Sequence, residues 1–115
     1  EMVKAAGANF VARSTCFHAN QMDDVLTQAI GHKGFSMVEV MSPCHTQYGR
    51  KNKFKNIVDM YTDLKKRSVK LERYEQMTPE QREGKLPTGV FVDRDQAGLG
   101  ERYQAMKKQL EEAQA

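Results

Sequence analysis

The chain has 115 residues, a hydrophobic fraction of 39% and a charged fraction of 29%. That is the length and composition of one globular domain, residues 1–115, rather than of a disordered chain. No apolar run approaches the roughly 20 residues that a membrane helix needs, and a net charge of +3 is too small to imply nucleic-acid binding.

No basic stretch followed by an apolar run opens the chain, so no secretory signal is visible. Two cysteines, Cys16 and Cys44, cannot form the disulfide framework of a small secreted domain, and reduced, cytoplasmic conditions are expected. The positive charge is concentrated: between His45 and Glu75 nine Lys/Arg stand against four Asp/Glu. This reads as a solvated helix face rather than as a site for an anionic partner.

Ala8 to Arg13 reads as a short strand. After a polar stretch Asn20 is placed to cap a helix, with Asp23 and Asp24 in its first turn. Met22, Val25, Leu26, Ala29 and Ile30 form one apolar helical stripe. His32 and Lys33 give that helix a cationic end and Gly34 a stop. Phe35 to Met41 is a second strand, ended by Ser42-Pro43. Strand, helix and strand in succession make a βαβ unit, whose crossover pairs its strands in parallel. Parallel sheets need helices on both faces, and Val90-Phe91-Val92 is the one other strand-like piece. The expected fold is α/β: a βαβ unit with flanking helices, as part of a larger parallel sheet. A unit cut from such a sheet leaves an edge and an uncovered face, and self-association is expected of it.

Asn52 to Leu71 carries a second helical stripe, Phe54, Ile57, Val58, Tyr61 and Leu64, which has to be buried on the sheet or on a partner. Thr78-Pro79-Glu80-Gln81 is a capping box with proline at the first helical position. Leu86 to Gly89 and Asp93 to Gly100 read as loops, and Glu101 to Gln114 as a last helix with a thin stripe of Tyr103, Met106 and Leu110.

No glycine-rich phosphate motif follows the first strand; Gly98-Leu99-Gly100 lacks a strand before it and reads as a helix start. Cys16, His18, Cys44 and His45 are the residues with metal-ligating chemistry, near the carboxyl ends of two parallel strands. Their spacing is not a usual zinc spacing, because adjacent side chains on an extended chain point apart. Cys44 could instead be a nucleophile with His18 or His45 as its base, or a buried strand-end cysteine. Asp23 and Asp24 fit a helix N-terminus, and Asp93 and Asp95 fit a loop.

The passages Ala8–Arg13, Ala29-Ile30-Gly31-His32-Lys33-Gly34-Phe35 and Val38-Glu39-Val40-Met41-Ser42-Pro43-Cys44 resemble the beta subunits of the 2-oxoacid:ferredoxin oxidoreductases. His45 to Asn52, and Gly84 to Gly89 followed by Val90-Phe91-Val92-Asp93, resemble the 2-oxoglutarate branch. The resemblance covers essentially the whole chain and corresponds to the C-terminal portion of such a subunit. It implies a parallel-sheet thiamine-diphosphate-binding fold and oxidative decarboxylation of a 2-oxoacid, with the acyl group passed to coenzyme A and electrons to ferredoxin. An alpha subunit is the implied partner. The family segment that holds thiamine diphosphate and Mg²⁺ lies upstream of the matching part. Where the family carries a [4Fe–4S] cluster, a Pro-Cys at this strand end supplies its fourth ligand, and that role passes to Cys44 alone. Cys16, His18, His32 and His45 take no family role. By itself the chain is expected to be catalytically inert and to bind neither thiamine diphosphate nor a cluster. The alternatives are a basic docking module, whose Asn52–Arg73 region binds an acidic partner, and a small cysteine- or zinc-site protein.

Overall fold

The computed structural model describes residues 1–114. A short helix α1 (Met2–Ala5) precedes strand β1 (Phe10–Thr15), helix α2 (Ala19–Gly31) and strand β2 (Ser36–Met41). A single π-helical turn (His45–Gly49) leads to α3 (Ile57–Arg67), β3 (Ser68–Lys70), α4 (Leu71–Glu75), α5 (Pro79–Arg82), β4 (Leu86–Asp93) and α6 (Leu99–Gln114). No helix among the described residues is long and apolar enough to cross a membrane.

The βαβ unit is present. β1 and β2 pair in parallel from Phe10 opposite Ser36 to Thr15 opposite Met41, and α2 crosses between them. The rest of the sheet departs from the expected parallel arrangement. Four strands lie in the order β2-β1-β4-β3, with β4 antiparallel to β1 and β3 parallel to β4. The fold is α/β with a mixed sheet, in which two parallel pairs, β1–β2 and β3–β4, run in opposite directions and meet at the antiparallel contact of β1 with β4. Leu86 to Gly89 is strand, not loop, despite its proline and glycine. Ladder pairing with β1 begins only at Gly89, opposite Arg13, so Pro87 has a strand neighbour on one side, Val69 of β3. The missing N–H is tolerated there as it is on an edge strand.

β3 falls inside the stretch expected to be one helix from Asn52 to Leu71. Ser68 stops α3 by turning extended, at φ −70° and ψ 130°, while its hydroxyl donates to the Leu64 carbonyl at 2.6 Å. The helix starts at Asn56, whose side chain accepts from the Asp59 N–H at 2.9 Å. Its buried residues are Met60 and Leu64. Ile57 and Val58 face outward, Val58 at 71% exposure, so the buried face is narrower than the apolar pattern suggests. Helix α2 shows the same narrowing. Val25 is buried and Ile30 is 86% exposed. Its N-cap is His18 rather than Asn20, because the His18 N–H bonds back to the Thr15 carbonyl at 3.0 Å and begins the turn early. Asp23 and Asp24 therefore lie beyond the first turn. The Thr78 capping box forms as expected, with the Thr78 and Gln81 side chains each accepting from the other's backbone N–H.

The core is small: Phe10, Ala12 and Val25, with Ala29, Val38 and Val90 packed against them. All of it lies on the α2 face of the sheet. On the other face Val11, Arg13, Met37, Glu39 and Phe91 border a cleft of about 420 Å³ with residues 1–4. Arg13 bonds Glu39 at 2.6 Å and lies over the Phe91 ring at 5.3 Å. The radius of gyration is 19.3 Å and the longest extent 71 Å, against about 13 Å for a compact chain of this length. The excess comes from α6, which buries no residue.

Gly34 closes the turn into β2 rather than stopping α2, whose C-cap is His32. It sits at φ +87°, and a Cβ there would lie 2.5 Å from the Asn9 amide nitrogen. That amide is buried and donates to the Gln96 carbonyl at 2.7 Å. A Cβ on Gly98 would meet the Gly34 Cα at 3.2 Å. Three chain segments cross here, and both positions are held to glycine by space, one of them also by backbone conformation.

His32, at this same end of the sheet, is fixed by two bonds. Its Nδ1 donates to the Lys33 carbonyl and its Nε2 to Asp93 Oδ1, each at 2.9 Å. Asp93 ends β4 as the acceptor of this bond; it is not simply a loop former. Both ring nitrogens must carry protons to serve two acceptors, so the fold favours the imidazolium. The Lys33 carbonyl, then the Asp93 carboxylate, raise the His32 pKa above 6.5, and Asp95 adds to this. The stabilisation is fully present below the unfolded pKa and is lost as pH rises through the higher folded value. The thermal midpoint of the wild type relative to that of Asp93→Asn, a difference in which the other titrating groups cancel, should fall as pH rises from about pH 6 to about pH 8.5. A difference that stays constant across that range would disprove the assignment.

Candidate functional site

The carboxyl ends of β1 and β2 share one edge of the sheet, where the Cys16 N–H bonds the Met41 carbonyl at 3.1 Å. Past that edge Ser42 and Pro43 carry the chain out of the ladder, and Cys44 remains extended at φ −90° and ψ 114°. The π-helical turn begins directly after it. The Gly49 N–H closes the turn onto the Cys44 carbonyl at 3.0 Å, and Gly49 is held against Met60 of α3, whose sulfur a Cβ would meet at 2.9 Å.

This arrangement leaves the Cys44 thiol exposed and surrounded by donors. Its sulfur shares a hydrogen bond with the Thr46 hydroxyl at 3.2 Å. That bond, followed by the backbone N–H groups of Gln47 and Thr46 and, last, of Tyr48, lowers the thiol to about 7 against the opposing effect of burial. The first turn of a helix presents unpaired N–H groups, and a thiolate there is stabilised by them. Cys44 is an accessible, acidified cysteine and not a buried structural one.

The thiol opens onto a cleft of about 260 Å³ between the turn and α3, whose walls include Pro43, Tyr48, Met60, Leu64 and Arg67. Tyr48 stacks on Phe54 with ring centroids 5.9 Å apart, and its hydroxyl accepts from Arg67 Nη1 at 3.3 Å. Arg67 also pairs with Asp63 at 3.5 Å and donates to the Gly84 carbonyl at 3.1 Å. The cleft is thus apolar inside with a guanidinium at its rim.

The other sequence-nominated residues do not join Cys44 in a site. Cys16 stands beside the Tyr61 phenol and pushes that hydroxyl's pKa up. His18 shares a 2.7 Å hydrogen bond with the Thr15 hydroxyl, and His45 starts the π-helical turn. Among the described residues no three His, Cys, Asp or Glu side chains converge as a metal site, which overturns the reading of a self-contained zinc centre. The side-chain partner of Cys44 is Thr46, not His18 or His45, so a cysteine–histidine nucleophile is not built either. Sequence reasoning missed Thr46 and Arg67. Thr46 is legible as a hydroxyl two residues beyond Cys44; Arg67 reaches the cleft only through the placement of α3.

The chain is similar over most of its length to named enzyme subunits. It is 38% identical over 106 residues to 2-oxoglutarate synthase subunit KorB of Methanothermobacter marburgensis, a match covering 92% of this chain and 37% of that subunit. The protein of the same name from Methanocaldococcus jannaschii is 40% identical over 93 residues, 81% of this chain and 34% of the relative. A shorter match, 36% identity over 42 residues, covers 36% of this chain and 14% of subunit beta of 2-oxoacid:ferredoxin oxidoreductase 2 from Aeropyrum pernix. The chain belongs to the family of 2-oxoacid:ferredoxin oxidoreductase beta subunits. It spans little more than a third of the length of the 2-oxoglutarate synthase subunits that it matches. No protein-family model matches it.

Proposed function

We propose that the chain is the C-terminal portion of the beta subunit of an oxidoreductase acting on a 2-oxoacid, 2-oxoglutarate by the names of its relatives, and that Cys44 is one of four thiolate ligands of a [4Fe–4S] cluster there. The observation that carries the ligand role is the position of Cys44: an exposed thiol just past Pro43, at the carboxyl edge of the parallel pair β1–β2. Sites in open α/β sheets lie outside that edge, and thiolate is the ligand that iron–sulfur clusters take. The residues present fit one corner of a cluster, the other three cysteines coming from elsewhere in the subunit. In the holoenzyme thiamine diphosphate with Mg²⁺ supplies the decarboxylation and the cluster the electron path to ferredoxin, with coenzyme A taking the acyl group.

The chain's own part is positional. Pro43 ends strand pairing so that Cys44 leaves the ladder; Thr46 and the N–H groups of the following turn hold its sulfur. The mixed sheet belongs, in this reading, to a thiamine-diphosphate-binding fold. Its second face, bordered by Val11, Met37 and Phe91, is covered by the rest of the subunit and promotes self-association when the chain stands alone. Exposed Arg50, Lys51, Lys53 and Lys55, just beyond the turn, favour an acidic electron carrier such as ferredoxin. The test is ferredoxin reduction by the assembled alpha–beta enzyme carrying this sequence, supplied with 2-oxoglutarate and coenzyme A. Reduction dependent on both substrates is expected; its absence with every 2-oxoacid offered would overturn the reading.

A further inference from the structure

The Cys44 sulfur meets one side-chain donor. The Thr46 hydroxyl lies 3.2 Å from Sγ, and no cap bond joins that sulfur to the backbone of the turn that follows. The chain holds the two residues in place. The Gly49 N–H bonds the Cys44 carbonyl at 3.0 Å, so residues 44–49 form one closed turn. Gly49 is buried, and a Cβ there would meet the Met60 sulfur at 2.9 Å, which fixes the turn against α3. Thr46 itself is exposed, so packing does not account for a threonine at this position. Its hydroxyl serves the bond to sulfur instead.

A thiol can give or take that bond. A metal-bound thiolate has lost its proton and can only accept, so the hydroxyl is then the donor. Reduction of an iron–sulfur cluster adds one negative charge, part of which resides on the ligand sulfurs. A donor aimed at one of those sulfurs stabilises the reduced state more than the oxidised one, and hydrogen bonds to sulfur are among the determinants of cluster potential. We propose that Thr46 is a tuning residue: its hydroxyl donates to the Cys44 sulfur and raises the potential of the cluster. This role rests on the reading of Cys44 as a cluster ligand, and it adds to that reading a residue that sets how readily the cluster takes its electron.

The measurement is a redox titration of the assembled alpha–beta enzyme carrying this sequence, followed by electron paramagnetic resonance of the cluster. Thr46→Val keeps the shape of the side chain and removes the hydroxyl. Its equilibrium constant for reduction should fall about tenfold, a shift of about 59 mV to lower potential for one electron. Thr46→Ser retains the hydroxyl and should keep the wild-type potential. Thr46→Ala gives the same test without a branched side chain, should valine disturb cluster loading. An unchanged potential in the hydroxyl-free variants would overturn the proposal, as would a shift in Thr46→Ser equal to that in Thr46→Val. Failure of both hydroxyl-free variants to hold a cluster would also overturn it. Cys44→Ser separates this result from the ligand role. Normal cluster absorbance in Cys44→Ser would overturn both, whereas altered absorbance beside an unchanged Thr46→Val potential would remove the Thr46 role alone.

Discussion

On the proposed ligand role, Cys44→Ser in the full-length subunit should reduce the rate of ferredoxin reduction more than about tenfold, since it would replace a direct ligand of the cluster and changes to outer partners of a metal already cost roughly 10–100-fold. Non-oxidative exchange of CO₂ with the carboxyl group of the 2-oxoacid should be much less affected, because that half of the reaction does not need the electron path. Cys16→Ser is the control. Cys16 is half-buried at the same sheet edge, beside Tyr61, and its replacement should cost about 1 kcal/mol of stability with both activities kept. The pair separates a ligand from a packing cysteine at nearly the same place in the fold. Normal cluster absorbance and full ferredoxin reduction in Cys44→Ser would end the ligand assignment. Equal loss of exchange and reduction would point instead to damage of the whole site.

Phe10→Ala should destabilise the fold by about 3–5 kcal/mol, the usual cost of emptying a buried aromatic site. Phe10 is 1% exposed and is the largest fully buried side chain. It joins β1 to α2 through Val25 and Ala29 and lies 5.4 Å from the His32 ring. With so few buried neighbours, nothing near it can collapse to fill the space. A domain of this size has a total stability of only about 6–17 kcal/mol, so the variant should lose much of its resistance to urea. Val58→Ala, at an exposed position of α3, should change stability by less than about 0.5 kcal/mol. Urea unfolding followed by circular dichroism measures both. Equal midpoints for the two variants would show that the Phe10 cluster is not the centre of the fold.

The βαβ unit and the position of Cys44 were legible in the sequence because both rest on local signals. A helical stripe between two short apolar runs leaves the chain one way to pair its strands, and a proline after a strand releases the next residue from the ladder. Only the tertiary structure decided the rest. The antiparallel pairing of β4 depends on the ladder between Phe10–Arg13 and Gly89–Asp93, and the existence of β3 on that between Ser68–Lys70 and Leu86–Thr88, backbone pairings that most side chains permit and few announce. The His32–Asp93 bond spans 61 positions, and the crossing of Asn9, Gly34 and Gly98 joins three separate segments. Apolar periodicity proposed Ile30, Ile57 and Val58 as buried residues, yet all three are exposed. A stripe records which residues are able to be covered; which of them are covered is settled by how much surface the neighbouring elements bring.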